Sequence, residues 1–214
     1  MSATATEATR QESRTLIIAV LGALGLMALW FVATAAWPYA NYSHDVYSDY
    51  FWPRRWGLVP HVIGGVIALT TGLVQLWLGL TNRVGALHRA LGKVYASAIL
   101  VGSIGGYYLA ITIPPQAFIY GAGMFGLCTA WIITTSMALL SIRRRNVVQH
   151  REWMLRSYTV TFAFVTFRLF VELMTVWHIA SRQDAGTLMA WACWSVPLLI
   201  AEPLIQLRKV RARS

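Results

Sequence analysis

Acidic residues are scarce in this chain: eight Asp and Glu stand among 214 residues, against 18 Lys and Arg, and charged residues of both signs make up only 12%. A soluble domain carries about 25%. With 57% apolar residues and a mean hydropathy of +0.54, the chain cannot cover itself with polar surface. That disfavours a disordered chain, a secreted disulfide scaffold and an ordinary cytosolic enzyme. Cysteine is also rare. Cys128 and Cys193 both sit in apolar runs, so they provide neither a disulfide framework nor a CxxC metal pair and read as buried free thiols packing like small hydrophobes. There is no GxGxxG on a strand–helix unit, no Walker loop, no HExxH and no GxSxG.

Long apolar runs are abundant. A bilayer-spanning helix needs about 20 mostly apolar residues. Six stretches qualify, at 15–37, 57–80, 91–113, 117–142, 153–178 and 187–207. The expected fold is an all-α, integral membrane six-helix bundle over 15–207, with an N-terminal arm at 1–14 and a basic tail at 208–214. Ala33-Thr34-Ala35 resembles a signal-peptidase site, but the apolar run before it is longer than a usual signal core, so an uncleaved span is expected. The longest connection, 38–56, is rich in Tyr and Trp, the residues favoured at the membrane–water boundary.

The basic residues divide unevenly between the two ends. Fourteen fall on one side: Arg10 and Arg14, then Arg83, Arg89 and Lys93, then Arg143, Arg144, Arg145, Arg151 and Arg156, and finally Arg208, Lys209, Arg211 and Arg213. Only Arg54, Arg55 and Arg182 fall on the other. The positive-inside rule then puts both termini in the cytoplasm, in a multi-pass protein of the cell's inner (plasma) membrane. The net charge of +10 is explained by contact with anionic lipid headgroups and requires no nucleic acid.

Ionisable residues at membrane depth are costly and face the bundle interior. Arg168 and Glu172 are four apart, on one helical face. Glu202 lies in the inner third of the sixth span, and by rise per residue Arg156 is nearer its depth than Arg168. Two readings follow. One is buried ion pairs that fix helix register. The other is a proton or substrate path, as in a transporter or proton-coupled carrier. Two stripes of small residues run along single helix faces. One comprises His61, Gly65, Ala68, Gly72 and Gln75, and the other His88, Gly92, Tyr95, Ile99, Gly102 and Gly106. Such stripes admit a neighbouring helix or a flat ligand.

Each stripe is headed by a histidine. His61 and His178 stand toward the outside, and His88 and His150 toward the cytoplasm; His44 reads as solvated. The segments LHRALGKVY and QHREWMLRSY both open a helix with His-Arg. Helix pairs 2–3 and 4–5 therefore look like a weak parallel repeat about an axis normal to the membrane, which brings His88 and His150 toward each other. The repeat is imperfect, because position 123, the counterpart of His61, is Gly. Two imidazoles on separate helices can ligate one haem iron axially. Arg89, Lys93, Arg151 and Arg156 are then candidates for the propionates. His88 with His150 forms an inner candidate site and His61 with His178 an outer one. His150 and His178 are 28 residues apart, about 42 Å along a helix, more than the hydrocarbon thickness of about 30 Å. One haem b, a non-haem metal or interfacial hydrogen bonding fits that distance better than two buried haems. A redox partner or quinone would follow from the first option, and a scaffold without chemistry of its own from the last.

Residues 61–108 and 148–202 resemble a bacterial and fungal family of predicted multi-span membrane proteins, a domain of unknown function. The shared elements are His61-x3-Gly65, Gln75, LHRALGKVY, Gly105-Gly106, HREWMLRSY, Arg168 and WSVPLLIAE. The resemblance implies a helical fold and a membrane location. A weaker similarity, of helix count and histidine placement, is to di-haem cytochromes b and transmembrane ferric reductases. Those place histidine pairs on four central helices, whereas His88 and His150 are expected where helices start.

Overall fold

The computed structural model describes residues 3–211, with side chains at 11, 15–207 and 209. Arg10, Arg14, Arg208 and Arg211 therefore lie outside the described side chains, and Arg213 outside the described residues. The described residues are mostly helical, with no strand among them. Helix α1 (Ala3–Phe31) continues through a π-turn at Val32–Ala36 into a 3-10 turn at Trp37–Ala40. Then follow α2 (His44–Phe51), α3 (Arg55–Leu80), α4 (Ala86–Ile111), α5 (Phe118–Arg143), α6 (Val147–Thr161), α7 (Ala163–Val176) and α8 (Arg182–Arg211). Six of the resulting segments are long and apolar enough to cross a membrane, with α6 and α7 forming one of them.

Several boundaries differ from the hydropathy reading, with α8 beginning at Arg182 instead of 187. The 38–56 connection holds the short helix α2 rather than open loop. Helix α4 starts at Ala86 instead of 91, and α6 at Val147 instead of 153. The charged residues that ended those apolar windows are helical nonetheless. The Asn146 side chain caps α6 by accepting from the Gln149 N–H at 3.0 Å, the usual service of a polar N-cap. His88 and His150 thus occupy the first turns of helices.

The two turns at this basic end close alike. Asn82 and Arg145 both take left-handed conformations (φ 55° and 58°). After Asn82, the Arg83 N–H reaches back to Leu78 O at 2.8 Å; after Arg145, the Asn146 N–H reaches Ser141 O at 2.9 Å. Both are Schellman closures, which satisfy carbonyls left over at a helix end.

Helices α3, α4, α5 and α6 form a square. Helix α3 packs along α4 and α6, and α5 packs along the same two, so α4 and α6 face each other across the centre. The α3–α4 side is close: a Cβ on Gly64 would stand 2.6 Å from Ala98 O and 2.7 Å from Gly102 N. Backbone contact of this kind is how small residues let helices associate in lipid. Helix α8 covers α5 and α7, while α1 touches α3 and α7 and turns Leu16, Ile18, Leu26 and Leu29 outward, where lipid replaces water.

A polar network ties the centre. The Tyr95 hydroxyl bonds Ser157 Oγ and Thr161 Oγ1, each at 2.8 Å. Trp131 Nε1–H donates to Thr161 Oγ1 at 2.8 Å, and Thr135 joins Ser157 at 2.7 Å. Every member is buried and satisfied, the condition under which such a network rigidifies a core.

Candidate functional site

His88 and His150 both lie at the basic end. One begins α4 and the other α6, on opposite corners of the square. His150 Nδ1 lies 2.9 Å from Ala138 O on α5. A carbonyl only accepts, so Nδ1 carries the proton, and in the neutral ring Nε2 keeps a free lone pair. His88 Nδ1 is buried and has no hydrogen-bond partner among the described residues. Leaving a buried polar atom unsatisfied costs about 1–3 kcal/mol, so the orphan calls for a reason. Gln75, buried on α3, donates from Nε2 to the His88 carbonyl and pins the first turn of α4.

The surrounding cations are differently occupied. Arg156 sends Nε and Nη2 to Glu202 Oε2 at 2.9 and 2.6 Å and lies over the Trp153 ring, so the pairing that depth suggests is present. Arg151 Nη2 donates to Asn82 Oδ1 at 2.8 Å, linking α6 to the α3–α4 turn. Lys209 pairs with Glu152 at 2.8 Å. Arg89 and Lys93 are exposed. Of the four propionate candidates, Arg156 is therefore committed to a carboxylate.

His61 and His178 are not brought together. His178 ends α7 with φ 54°, is exposed and closes the helix through its backbone. His61 lines a cavity of about 270 Å³ at the aromatic end, walled by residues of α1, α2, α3, α4, α5 and α7 and the turns between them. Its Nδ1 is 2.9 Å from Gly102 O, and its ring meets Phe164 edge-on at 5.3 Å. Gly123 does not face this space, since a Cβ there would meet Ala190 of α8 at 2.9 Å. Met124, Leu127 and Cys128 line it from α5 instead.

The small-residue stripes admit side chains of the protein itself. A Cβ on Gly72 would stand 2.6 Å from the Tyr158 ring and 2.7 Å from Tyr95; one on Gly106 would stand 2.7 Å from Cys128 Sγ and 2.9 Å from His61 Nδ1. Arg168 and Glu172 form the expected i,i+4 pair at 3.3 Å. Glu172 is shared, because Arg182 also binds it at 2.9 Å.

Sequence reasoning missed the Trp131–Thr135–Ser157–Thr161 network, the Asn82–Arg151 link, and the roles of Arg54, Tyr120 and Cys128 as cavity walls. The available signal was the run of hydroxyl residues on one face of α5 and α6, at Thr135, Ser157 and Thr161. No group of three or more His, Cys, Asp or Glu side chains converges among the described residues.

Six membrane-length apolar helices around a buried polar centre define a polytopic helical membrane protein. The chain belongs to the family described as Predicted membrane protein (DUF2306), whose sequence pattern matches residues 58–205, the stretch that holds α3 to α8 and both histidine turns. No curated protein and no solved structure matches the chain.

Proposed function

We propose that the protein is a membrane redox protein in which His88 and His150 would hold one b-type haem at the basic, cytoplasmic end. The observation that carries this reading is the pair itself. Two histidines stand in the first turns of α4 and α6 at the same end of the bundle, one with its Nδ1 tied to a carbonyl and the other with a buried nitrogen left unpartnered. A ligating histidine characteristically donates its other ring N–H to a carbonyl, which fixes tautomer and orientation, and His150 has that arrangement. The donor chemistry fits as well, because imidazole suits iron.

The chain's own residues do the positioning. Asn146 starts α6 so that His150 falls in its first turn, and Gln75 holds the first turn of α4 under His88. Arg89 and Lys93 would be free to meet the propionates, and Arg151 would do so by exchanging its bond to Asn82. The Tyr95–Trp131 network closes the floor of the site against the opposite end. Bound there, haem would supply one-electron transfer at the cytoplasmic face, with a soluble donor or a quinone as partner.

The test is a visible spectrum and metal analysis of the protein purified in detergent from haem-replete cells. A Soret band, near one iron per chain, and its loss in both His88→Ala and His150→Ala are expected. Wild-type protein free of both iron and Soret absorbance would overturn the proposal, as would alanine variants that keep full haem. Copper or zinc in place of iron would refute the haem.

A further inference from the structure

We propose that the cavity at the aromatic end is a binding site for a small aromatic carboxylate, independent of the histidine pair at the other end. Three observations converge. The first is size. A cavity of about 150 Å³ accepts benzene, so about 270 Å³ accepts one substituted ring. The second is the wall. Phe31, Phe51, Tyr120, Phe164 and Phe167 contribute ring surfaces, suited to edge-to-face contact with an aromatic guest.

The third observation is charge. Arg54 and Arg168 line the cavity, and no carboxylate does so among the described residues. Arg54 spends its donors on carbonyls: Nε and Nη2 on Thr112 O at 3.2 and 2.8 Å, and Nη1 on Tyr50 O at 2.7 Å. Those bonds fix the guanidinium without neutralising it. Arg168 has one contact with Glu172 at 3.3 Å, while Arg182 holds the same carboxylate more closely through two N–H groups at 3.1 and 2.9 Å. One anion thus serves two guanidiniums, and the cavity wall keeps uncompensated positive charge near membrane depth, where charge is costly unless paired. Arg168 retains a planar fork of N–H donors matched to a carboxylate. The ligand's ring would lie among the aromatic walls and its carboxylate against Arg168. Gly65 lines the same space, where an added Cβ would meet only the Phe164 ring, at 3.7 Å.

Calorimetric titration of the detergent-purified full chain tests this, with 4-ethylbenzoate, its neutral isostere 4-ethylbenzamide, and octanoate as the alkyl carboxylate that a lipid would mimic. Saturable binding of 4-ethylbenzoate is expected. The amide should bind about 10- to 100-fold more weakly for loss of a charge-assisted contact, and octanoate more weakly than the aromatic acid. Arg168→Gln should reproduce the amide's loss. Gly65→Ala, which narrows the cavity without a clash, should weaken binding several-fold with an unchanged melting temperature. No saturable binding, equal binding of amide and acid, or indifference to either substitution would overturn the proposal. Octanoate binding more tightly than 4-ethylbenzoate would overturn the aromatic assignment.

Discussion

At the basic end, His150, Gln75, Arg151, Arg156 and Lys209 are each held by a protein partner at hydrogen-bonding distance. At the aromatic end, Arg54 leans on carbonyls and the Tyr50 ring, and Arg168 shares a single carboxylate with Arg182. Helices α3, α4 and α5 contribute to both ends, yet one is cross-linked by these bonds and the other holds a cavity. Where partners are complete, a lone orphan such as His88 Nδ1 is informative. Where partners are incomplete around open volume, the deficit belongs to the cavity and its charge sign indicates the ligand.

Substitutions can break this comparison in graded steps, each read by thermal unfolding in detergent. The largest effect is expected in the packed centre. Gly72→Ala drives a methyl into two tyrosine rings and should cost about 2–3 kcal/mol, whereas Gly65→Ala, on the cavity wall, should stay within about 0.5 kcal/mol. Equal costs would mean that the centre and the cavity are packed alike. Tyr95→Phe removes the hydroxyl shared by Ser157 and Thr161 and should cost about 1–2 kcal/mol. A neutral result would show that the two hydroxyls find other partners.

Smaller effects separate the ion pairs. Glu202→Gln leaves Arg156, only 12% exposed, without its anion, and should cost about 1 kcal/mol. Glu172→Gln acts among guanidiniums that are 42% and 58% exposed and should cost less. The reverse order would contradict the tighter closure of the basic end. Smallest of all, in cofactor-free protein, His88→Leu removes an unsatisfied nitrogen and should leave stability unchanged or higher, while His150→Leu loses the Ala138 bond, about 0.5–1.5 kcal/mol.

Much of this was legible in the sequence because lipid imposes a simple rule. Length and hydropathy define all six spans, and the matching His-Arg openings stand after two turns that close alike at Asn82 and Arg145. Helix starts were less legible. Hydropathy windows stop at charge, whereas α4 and α6 run on through Arg89 and Arg151 to their caps. Rise per residue located the Arg156–Glu202 pair, because depth along a helix is countable. What periodicity could not give was the occupant of each small-residue stripe. Gly72 reads the same whether it admits a ligand, a helix or, as found, two tyrosine rings. Nor could it show that Gly123 turns toward α8 and leaves His61 without a partner on α5.

The most direct test of the central claim is the spin state and axial ligation of the purified, oxidised protein, read by low-temperature electron paramagnetic resonance and near-infrared magnetic circular dichroism. The account predicts a low-spin ferric centre with two imidazole ligands that changes to a thioether–imidazole signature in His150→Met. A high-spin or mono-histidine centre, a bis-imidazole signature that survives in His150→Met, or no ferric signal from iron-replete protein would contradict it.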